Sequence, residues 1–518
     1  MWLFLSGPMG SGKSTAAREA AVSLCRPCYD LDVIIEAHTG QSIAQIFAEQ
    51  GEPAFREHEA ACLATLIASE SPGVVALGGG ALLARQSRRL CQRTGVIATL
   101  VAEPEVLAQR LEGDASRPLL QTDDIRRRLR EVIEARRGVY AEAHISVDTA
   151  GRSPTQVVAA LLEAYRRAPE LVPLGERSYP VFIESGARER LPELLETYLG
   201  EHSRLWVTDA NVAAHWWGDI ERSFAGARAM VLTPGEAAKT LSAVQSIWEA
   251  ALEGKLDRQS ALIALGGGMV GDVAGFAAST LYRGVPFVSV PTSLLAMVDS
   301  SVGGKTGFNR PQGKNLIGSF HQPSLVVADP EFLNTLPEEE LRSGLGEVVK
   351  SAWLAGEEAV AQLERDADAL KVGEAGSLGR AVRMSVRLKA RIVADDEREG
   401  GARGLLNLGH TLGHAFERAA GFGRIRHGEA IALEMVAAFN LAFRLGTLTQ
   451  ESRERGVELL RRLGLPTQLR GRFTGEAQAA LAFDKKRVDG RIRFVVPGLP
   501  GQSQLRSMSA EEVWELCQ

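Results

Sequence analysis

Cysteine is scarce and odd in number: Cys25, Cys28, Cys62, Cys91 and Cys517 are scattered through 518 residues. Five such thiols argue against a disulfide framework, and a reducing cytoplasmic setting is expected. Cys25-Arg26-Pro27-Cys28 has the spacing of a redox or half-zinc motif, but no second pair follows, so it is read as two small packing residues. Excess basic charge is also missing. With 59 Lys and Arg against 64 Asp and Glu the net charge is -5, which argues against nucleic acid as a partner. The apolar start Met1-Trp2-Leu3-Phe4-Leu5 lacks a basic flank and is too short for a signal-peptide core, so it reads as a buried strand. Residues 261–280 are apolar on average but carry Asp272 and five glycines, which argues against a membrane helix. Internal repeats and low-complexity tracts are absent as well.

What is present is an ordinary globular composition, 45% hydrophobic and 24% charged, in a chain too long for one core. At roughly 100 to 200 residues per domain, about three units are expected.

The first unit opens with the strand-like run Leu3 to Ser6, and Gly7-Pro8-Met9-Gly10-Ser11-Gly12-Lys13-Ser14 then matches G-x-x-x-x-G-K-S in full before an alanine-rich helix. That context lets backbone N–H groups curl around phosphates while Lys13 neutralises charge and Ser14 ligates Mg²⁺. Further on, Asp30-Leu31-Asp32 ends a second strand and Phe55-Arg56 opens a helix. Gly78-Gly79-Gly80 ends a third strand, and Arg117-Pro118-Leu119-Leu120 lies in a polar loop. An acidic acceptor, arginine forks and a glycine floor suit a small polyol carboxylate.

This series resembles shikimate kinase over residues 1–168. The resemblance implies ATP against Gly10, Ser11, Gly12, Lys13, Ser14 and Thr15, with Arg110 on the nucleotide side and Mg²⁺ between Ser14 and Asp30. Asp32 would take shikimate hydroxyls and act as base, and Arg56 and Arg136 would clamp its carboxylate over Gly79 and Gly80. Arg117 would be the lid arginine, catalytic together with Lys13 and Asp32. Where the family has proline this chain has Gly138, and Arg137 beside Arg136 is the competing clamp. A regulatory module that binds ATP without turnover is the rival; Asp32 with Arg56 favours the kinase, because a switch needs no acceptor site.

Two prolines make residues 169–175 a semi-rigid linker in expectation. From Val181 to Asp329 strands and helices alternate as in an α/β nucleotide domain. Gly266-Gly267-Gly268 follows a strand and Asp272 lies in the next helix, an arrangement fit for a dinucleotide pyrophosphate. Beyond about Glu338 the pattern turns helical. His410, His414 and His427 fall within 18 residues, and spacing alone picks His410 and His414 as the zinc pair of an H-x-x-x-H site.

Together, Asp209/Asn211, the runs 234–240, 266–272 and 291–293, Asp299 to Thr306, Gly313-Lys314-Asn315, Glu347/Lys350 and Asn407 to His414 resemble 3-dehydroquinate synthase in order and spacing from about 176 to the end. Glycerol dehydrogenase and its iron-dependent relatives are the alternative, but they give no reason for the phosphate-type cluster of Lys305, Asn315 and Arg403.

The resemblance implies Zn²⁺, or Co²⁺, on Glu347, His410 and His427, with His414 turned to the substrate phosphate. NAD would be held by Asp209, Asn211, Glu236, Lys239 and the segment with Gly267, Gly268, Met269 and Asp272. Thr292, Ser293, Leu295, Asp299, Lys305 and Lys314 would line its other side, completed by Phe332, Thr335 and Leu336. Asp299, Lys350, Lys389 and Asn407 would meet the substrate's hydroxyls and carboxylate, and Lys305, Asn315, Arg403, His414 and Lys486 its phosphate. The groups counted as catalytic are Asp299, Lys305, Lys350, Lys389 and His414. Arg283 matches an arginine lent to a neighbouring subunit, which implies a homodimer. The implied chemistry is removal and return of a hydride by NAD around the elimination of phosphate.

The expected fold is therefore α/β. A P-loop kinase domain with a parallel sheet (1–168) precedes the linker 169–175, an α/β NAD-binding part (176–337) and an all-helical metal- and substrate-binding part (338–518). The expected function is a two-enzyme chain of the shikimate pathway acting on small molecules. The alternative is a fusion with one half decayed into a structural or regulatory domain.

Overall fold

The computed structural model describes every residue except 113–123, 422–423, 483–486 and 489–490. The chain forms two compact units, Met1–Ser178 and Tyr179–Gln518. Among the described residues no helix is long and apolar enough to cross a membrane.

In the first unit, strands β1 (Trp2–Ser6), β2 (Cys28–Asp30), β3 (Val74–Ala76), β4 (Gly95–Val101) and β5 (Ile145–Asp148) make a parallel sheet in the order β2-β3-β1-β4-β5. β1 is apolar at successive positions because both of its faces are covered. Leu3 and Leu5 pack with the helices Lys13–Leu24 and Pro154–Arg166, while Trp2 and Phe4 pack with Phe55, Leu63 and Leu66 of the helix Gly51–Ser69. Parallel pairing sends the carboxyl ends of β1, β2 and β3 to one edge. The glycine loop, Asp30 and Gly78 to Gly80 all leave from that edge.

The expected linker is folded instead. A short strand β6 (Glu170–Val172) is fully buried, the Leu174 N–H donates to Ser178 Oγ (2.9 Å), and the Gly175 N–H donates to Glu142 Oε1 (3.1 Å). The prolines start and end a packed segment and do not stiffen an exposed one. The reading of Cys25 and Cys28 as packing residues is also corrected: both are exposed, and only Cys62, Cys91 and Cys517 are buried.

The second unit begins with β7 (Tyr179–Ile183), β8 (Arg204–Asp209), β9 (Arg228–Leu232), β10 (Ala261–Gly266) and β11 (Phe287–Pro291). An antiparallel hairpin, β12 (Lys305–Arg310) with β13 (Gly313–Phe320), precedes β14 (Leu325–Ala328). The parallel strands run β7-β14-β11-β10-β8-β9. β10 is central, so the glycines at its carboxyl end lie between the ends of β8 and β11, where α/β sheets bind ligands.

From Glu338 on, helices dominate: Glu338–Ala355, Glu357–Lys371, Ala375–Asp395, Thr411–Ala420, His427–Arg444 and Gln450–Arg462. Trp353 packs against Phe439 with ring centroids 4.6 Å apart. One departure from an all-helical part is a three-stranded antiparallel sheet of β15 (Arg487–Val488), β16 (Arg491–Val496) and β17 (Gln504–Met508). In β16 the buried Ile492 and Phe494 alternate with the more accessible Arg491 and Arg493, a period of two that a helix cannot use.

Candidate active sites

In the first unit the glycine loop turns through left-handed backbone at Gly10 (φ 78°) and Gly12 (φ 87°), conformations that suit glycine. Lys13 Nζ donates to the carbonyls of Gly7 and Pro8, both at 2.9 Å, which places its charge inside the curl of the loop. Ser14 Oγ donates to Asp30 Oδ2 at 2.8 Å, so these two oxygens already share one point. Arg110 reaches the same loop, donating to Gly10 O at 3.4 Å and to Thr149 O at 2.7 Å.

Beside the loop, Arg136 Nη1 donates to Gly79 O at 2.6 Å, whereas Arg137 is exposed beside Glu134. A Cβ on Gly80 would stand 2.4 Å from Arg56 Nη2, and one on Gly78 would stand 3.1 Å from Asp32 Oδ1. The bare glycine floor is therefore what admits both groups. Glu59, absent from the sequence reading, pairs with Arg56 Nη1 at 2.6 Å; burial pushes its carboxyl up while Arg56 pulls it down. Its sequence signal was the i, i+3 spacing from Arg56. Arg117 lies outside the described residues.

In the second unit the metal-type ligands come from three elements. Glu347 belongs to the helix Glu338–Ala355, His410 caps the helix Thr411–Ala420 and His427 starts the helix His427–Arg444. Their ligand atoms all lie within 4.8 Å of one another. The approach depends on glycines next to the ligands: a Cβ on Gly346 would stand 2.3 Å from Gly428 O, and one on Gly428 would stand 1.6 Å from Ser343 O.

Glu347 is 1% exposed and ion-paired with Lys350. The Nε2 atoms of His410 and His427 each stand 3.4 Å from Glu347 Oε1, too far for a good hydrogen bond and suited to atoms aimed at a point between them. Burial, with Lys350, lowers His410 to about 4. Burial would lower His427 too, but the carboxylates of Glu347 and Glu417 beside it raise it to about 9. Glu417 accepts from His427 Nδ1 at 3.0 Å and pairs with Lys314 at 3.0 Å. Burial opposes its ionisation, yet those cations hold it at about 2. It is the kind of carboxylate that orients a ligand imidazole, and the sequence reading missed it although it lies three residues after His414. His414 stacks on His427 with ring centroids 5.9 Å apart.

Around this centre Lys389 Nζ donates to Asp299 Oδ1 and O, both at 2.6 Å. Asp299 lies in the field of Glu347, Lys350 and Lys389; burial would raise it, but the lysines hold it at about 2. Glu399, also unread in the sequence, pairs with Lys305 and accepts from Asn407 Nδ2 at 3.1 Å. Arg403 is 2% exposed and donates to the Gly303 carbonyl at 2.9 Å. Lys486 lies outside the described residues.

At the sheet end, Asp209 Oδ1 accepts from the Asn211 and Val212 amides at 2.9 and 3.1 Å. Lys239 pairs with Asp272, and Asn309 Nδ2 reaches Glu236 at 2.7 Å; the Asn315 amide donates to Asn309 Oδ1 at 3.0 Å. The helix Gly268–Thr280 has no side-chain cap, and Cβ atoms on Gly267 and Gly268 would meet Ser293 Oγ at 3.4 Å and Ser300 Oγ at 3.2 Å. Trp216 stands edge-on to Phe332 (5.0 Å) and donates to Thr335 Oγ1 at 3.0 Å. Arg283 is exposed, on a turn with positive φ at Tyr282 (50°), Arg283 (68°) and Gly284 (121°).

Known families match both units. The N-terminal and C-terminal patterns of 3-dehydroquinate synthase match residues 229–343 and 344–487, and the pattern of shikimate kinase matches residues 9–166. The 3-dehydroquinate synthase of Saccharophagus degradans is 45% identical over 336 residues, 64% of this chain and 92% of that one. The chain belongs to the 3-dehydroquinate synthase family. A shikimate kinase domain precedes the synthase, so this is an enzyme with both activities, in the shikimate pathway.

Two solved structures resemble the synthase part. One is 2-epi-5-epi-valiolone synthase from Streptomyces hygroscopicus subsp. jinggangensis 5008 with NAD⁺ and Zn²⁺ bound, with TM-score 0.59 and 29% identity over 65% of this chain and 95% of that one. The other is 2-deoxy-scyllo-inosose synthase complexed with carbaglucose-6-phosphate, NAD⁺ and Co²⁺, with TM-score 0.60 and 25% identity over 68% and 99%. The dehydrogenase alternative falls away, since residues 229–487 match the synthase.

Proposed function

We propose that the first site phosphorylates shikimate with ATP and the second converts 3-deoxy-D-arabino-heptulosonate 7-phosphate to 3-dehydroquinate and phosphate, serving chorismate and aromatic amino acid biosynthesis. The observation that carries the second assignment is the convergence of Glu347, His410 and His427 within the field of the Asp299, Lys350 and Lys389 cluster.

The residues fit the groups this needs. One carboxylate and two imidazoles make a donor set for Zn²⁺ or Co²⁺ with room for substrate oxygens. The glycine cradle and uncapped helix at Gly268 fit a dinucleotide pyrophosphate, and the Ser14 and Asp30 oxygens fit Mg²⁺ on ATP. When bound, the metal supplies Lewis acidity, NAD supplies reversible hydride acceptance, and Mg²⁺ neutralises phosphate charge.

In the kinase, Asp32 takes the proton of the attacking hydroxyl, Arg56 and Arg136 hold the carboxylate, and Lys13 and Arg117 stabilise the transferring phosphoryl. Glu59 keeps the Arg56 fork turned toward Gly80. In the synthase, Asp299, Lys350, Lys389 and Asn407 orient the substrate's hydroxyls and carboxylate, while Lys305, Asn315, Arg403, His414 and Lys486 hold its phosphate until it leaves. Asp209, Asn211, Glu236, Lys239, Asp272, Thr292, Ser293 and Lys314 seat NAD, with Phe332, Thr335 and Leu336 closing one side. The turn at Tyr282 to Gly284 presents Arg283 outward, which supports a homodimer formed through the synthase part. The synthase divides near 337/338, where the helix Glu338–Ala355 begins.

Two assays on the purified chain test this reading: ATP-dependent phosphorylation of shikimate, and phosphate release from the heptulosonate. Both are expected, and the lack of either would mean that its half has become a structural or regulatory domain. Within the kinase, Arg136→Ala is expected to raise the Michaelis constant for shikimate roughly 10- to 100-fold, the worth of hydrogen bonds to a charged group, and Arg137→Ala to leave it unchanged. The reverse pattern would move the clamp by one residue.

A further inference from the structure

Helix N-termini leave amides without intrahelical partners, and the residue that usually satisfies one of them is a capping Ser, Thr, Asp or Asn. The helix Thr411–Ala420 has His410 in that position, and His410 makes no side-chain cap. Its Nδ1 is turned to Leu408 O (3.2 Å) and its Nε2 to Glu347. The ring is committed elsewhere, so the buried N–H of Gly413, one turn in, needs an acceptor from outside the helix.

Glu434 supplies it. This carboxylate is 1% exposed and lies two turns into the helix His427–Arg444; its Oε2 accepts from the Gly413 N–H at 2.7 Å. A side-chain oxygen that accepts from a buried helix N-terminal amide satisfies a donor that would be costly to leave unpaired. The two helices also touch at the backbone, since a Cβ on Gly413 would stand 3.2 Å from Ala430 O. Gly413 sits between His410 and His414, and Glu434 shares its helix with His427, so one hydrogen bond spans the elements that carry two metal-type ligands.

We propose that Glu434 is a positioning residue for the metal centre: its carboxylate fastens the segment bearing His410 to the helix that starts at His427, fixing the spacing of the two imidazoles. The inference rests on the reading of Glu347, His410 and His427 as metal ligands. In this role Glu434 acts through the Gly413 amide.

The test uses the full chain loaded with Co²⁺, whose visible absorption bands report ligand geometry and whose affinity is read by competition with a chelator. Glu434→Leu fills the space but offers no acceptor. It is expected to weaken Co²⁺ binding about 10- to 100-fold, the usual cost of losing a partner that orients ligands, and to change the bands. Glu434→Gln keeps a side-chain oxygen for Gly413 and is expected to restore both. Kinase turnover of the same molecules should not change.

Unaltered affinity and bands in Glu434→Leu would overturn the inference, and so would a Gln variant as impaired as the Leu variant. If Glu434→Leu does not accumulate as folded protein, Glu434→Asp decides. Its shorter side chain withdraws the oxygen from the Gly413 amide, so altered bands support the proposal and wild-type bands refute it. A wild-type chain without Co²⁺ bands would sink the metal-site reading itself, whereas bands in the wild type with unchanged variants would sink the Glu434 inference alone.

Discussion

Replacing Lys13 by alanine is expected to lower shikimate phosphorylation by about 10²–10³-fold, the usual loss when one preorganised donor to developing charge is removed. Lys13 Nζ lies inside the glycine loop, 2.9 Å from two of its carbonyls. Its charge is fixed where phosphates sit and is not recruited from solvent. The loop's left-handed glycines do not depend on the lysine, so ATP binding should weaken less than turnover falls. Synthase turnover in the same molecule should stay at its wild-type value, because the loop belongs to the first unit and the synthase residues to the second. Steady-state rates for both reactions on one preparation check the result. A kinase that keeps most of its turnover, or a synthase that falls in step, would reject the assignment.

Exchanging His427 for alanine is expected to strip the metal and abolish the synthase, while His414→Ala keeps the metal and impairs handling of the phosphate. Losing one of three protein ligands should weaken binding beyond the roughly 10- to 100-fold typical of losing a supporting partner. Two further consequences raise the cost at His427: Glu417 loses the imidazole it orients, and Glu347 loses one of the two rings that face it. His414 contributes a ring stacked on His427, with centroids 5.9 Å apart. Metal content after dialysis against a chelator, measured beside turnover, separates the two. Metal retained in His427→Ala and lost in His414→Ala would restore the paired-histidine reading of H-x-x-x-H.

That conflict shows where sequence spacing stops being informative. Spacing places His414 one turn from His410, and the two rings do lie 5.5 Å apart. Yet Nε2 of His410 turns toward Glu347 at 3.4 Å, and the ligand atoms that meet within 4.8 Å are those of Glu347, His410 and His427. His427 arrives from a different helix, brought close because Gly346 and Gly428 have no side chains to keep the backbones apart. Such an approach is a property of two helices together and has no period to read.

Local and contiguous features were legible by themselves. The eight residues from Gly7 to Ser14 carry their own conformational demands, and the unbroken apolar run of β1 declares a strand covered on both faces. The order of the motifs along the chain was enough to indicate both families before any geometry was known. The tertiary structure alone told Arg136, whose guanidinium donates to the Gly79 carbonyl, from the exposed Arg137, two neighbours of one residue type. It turned the proline-marked stretch 169–175 into a packed segment, because burial depends on what comes to lie over it. It also gave partners to Glu59, Glu399, Glu417 and Glu434. A carboxylate in a sequence reads as a solvated charge, and only its burial against a particular arginine, lysine, histidine or amide makes it part of a site.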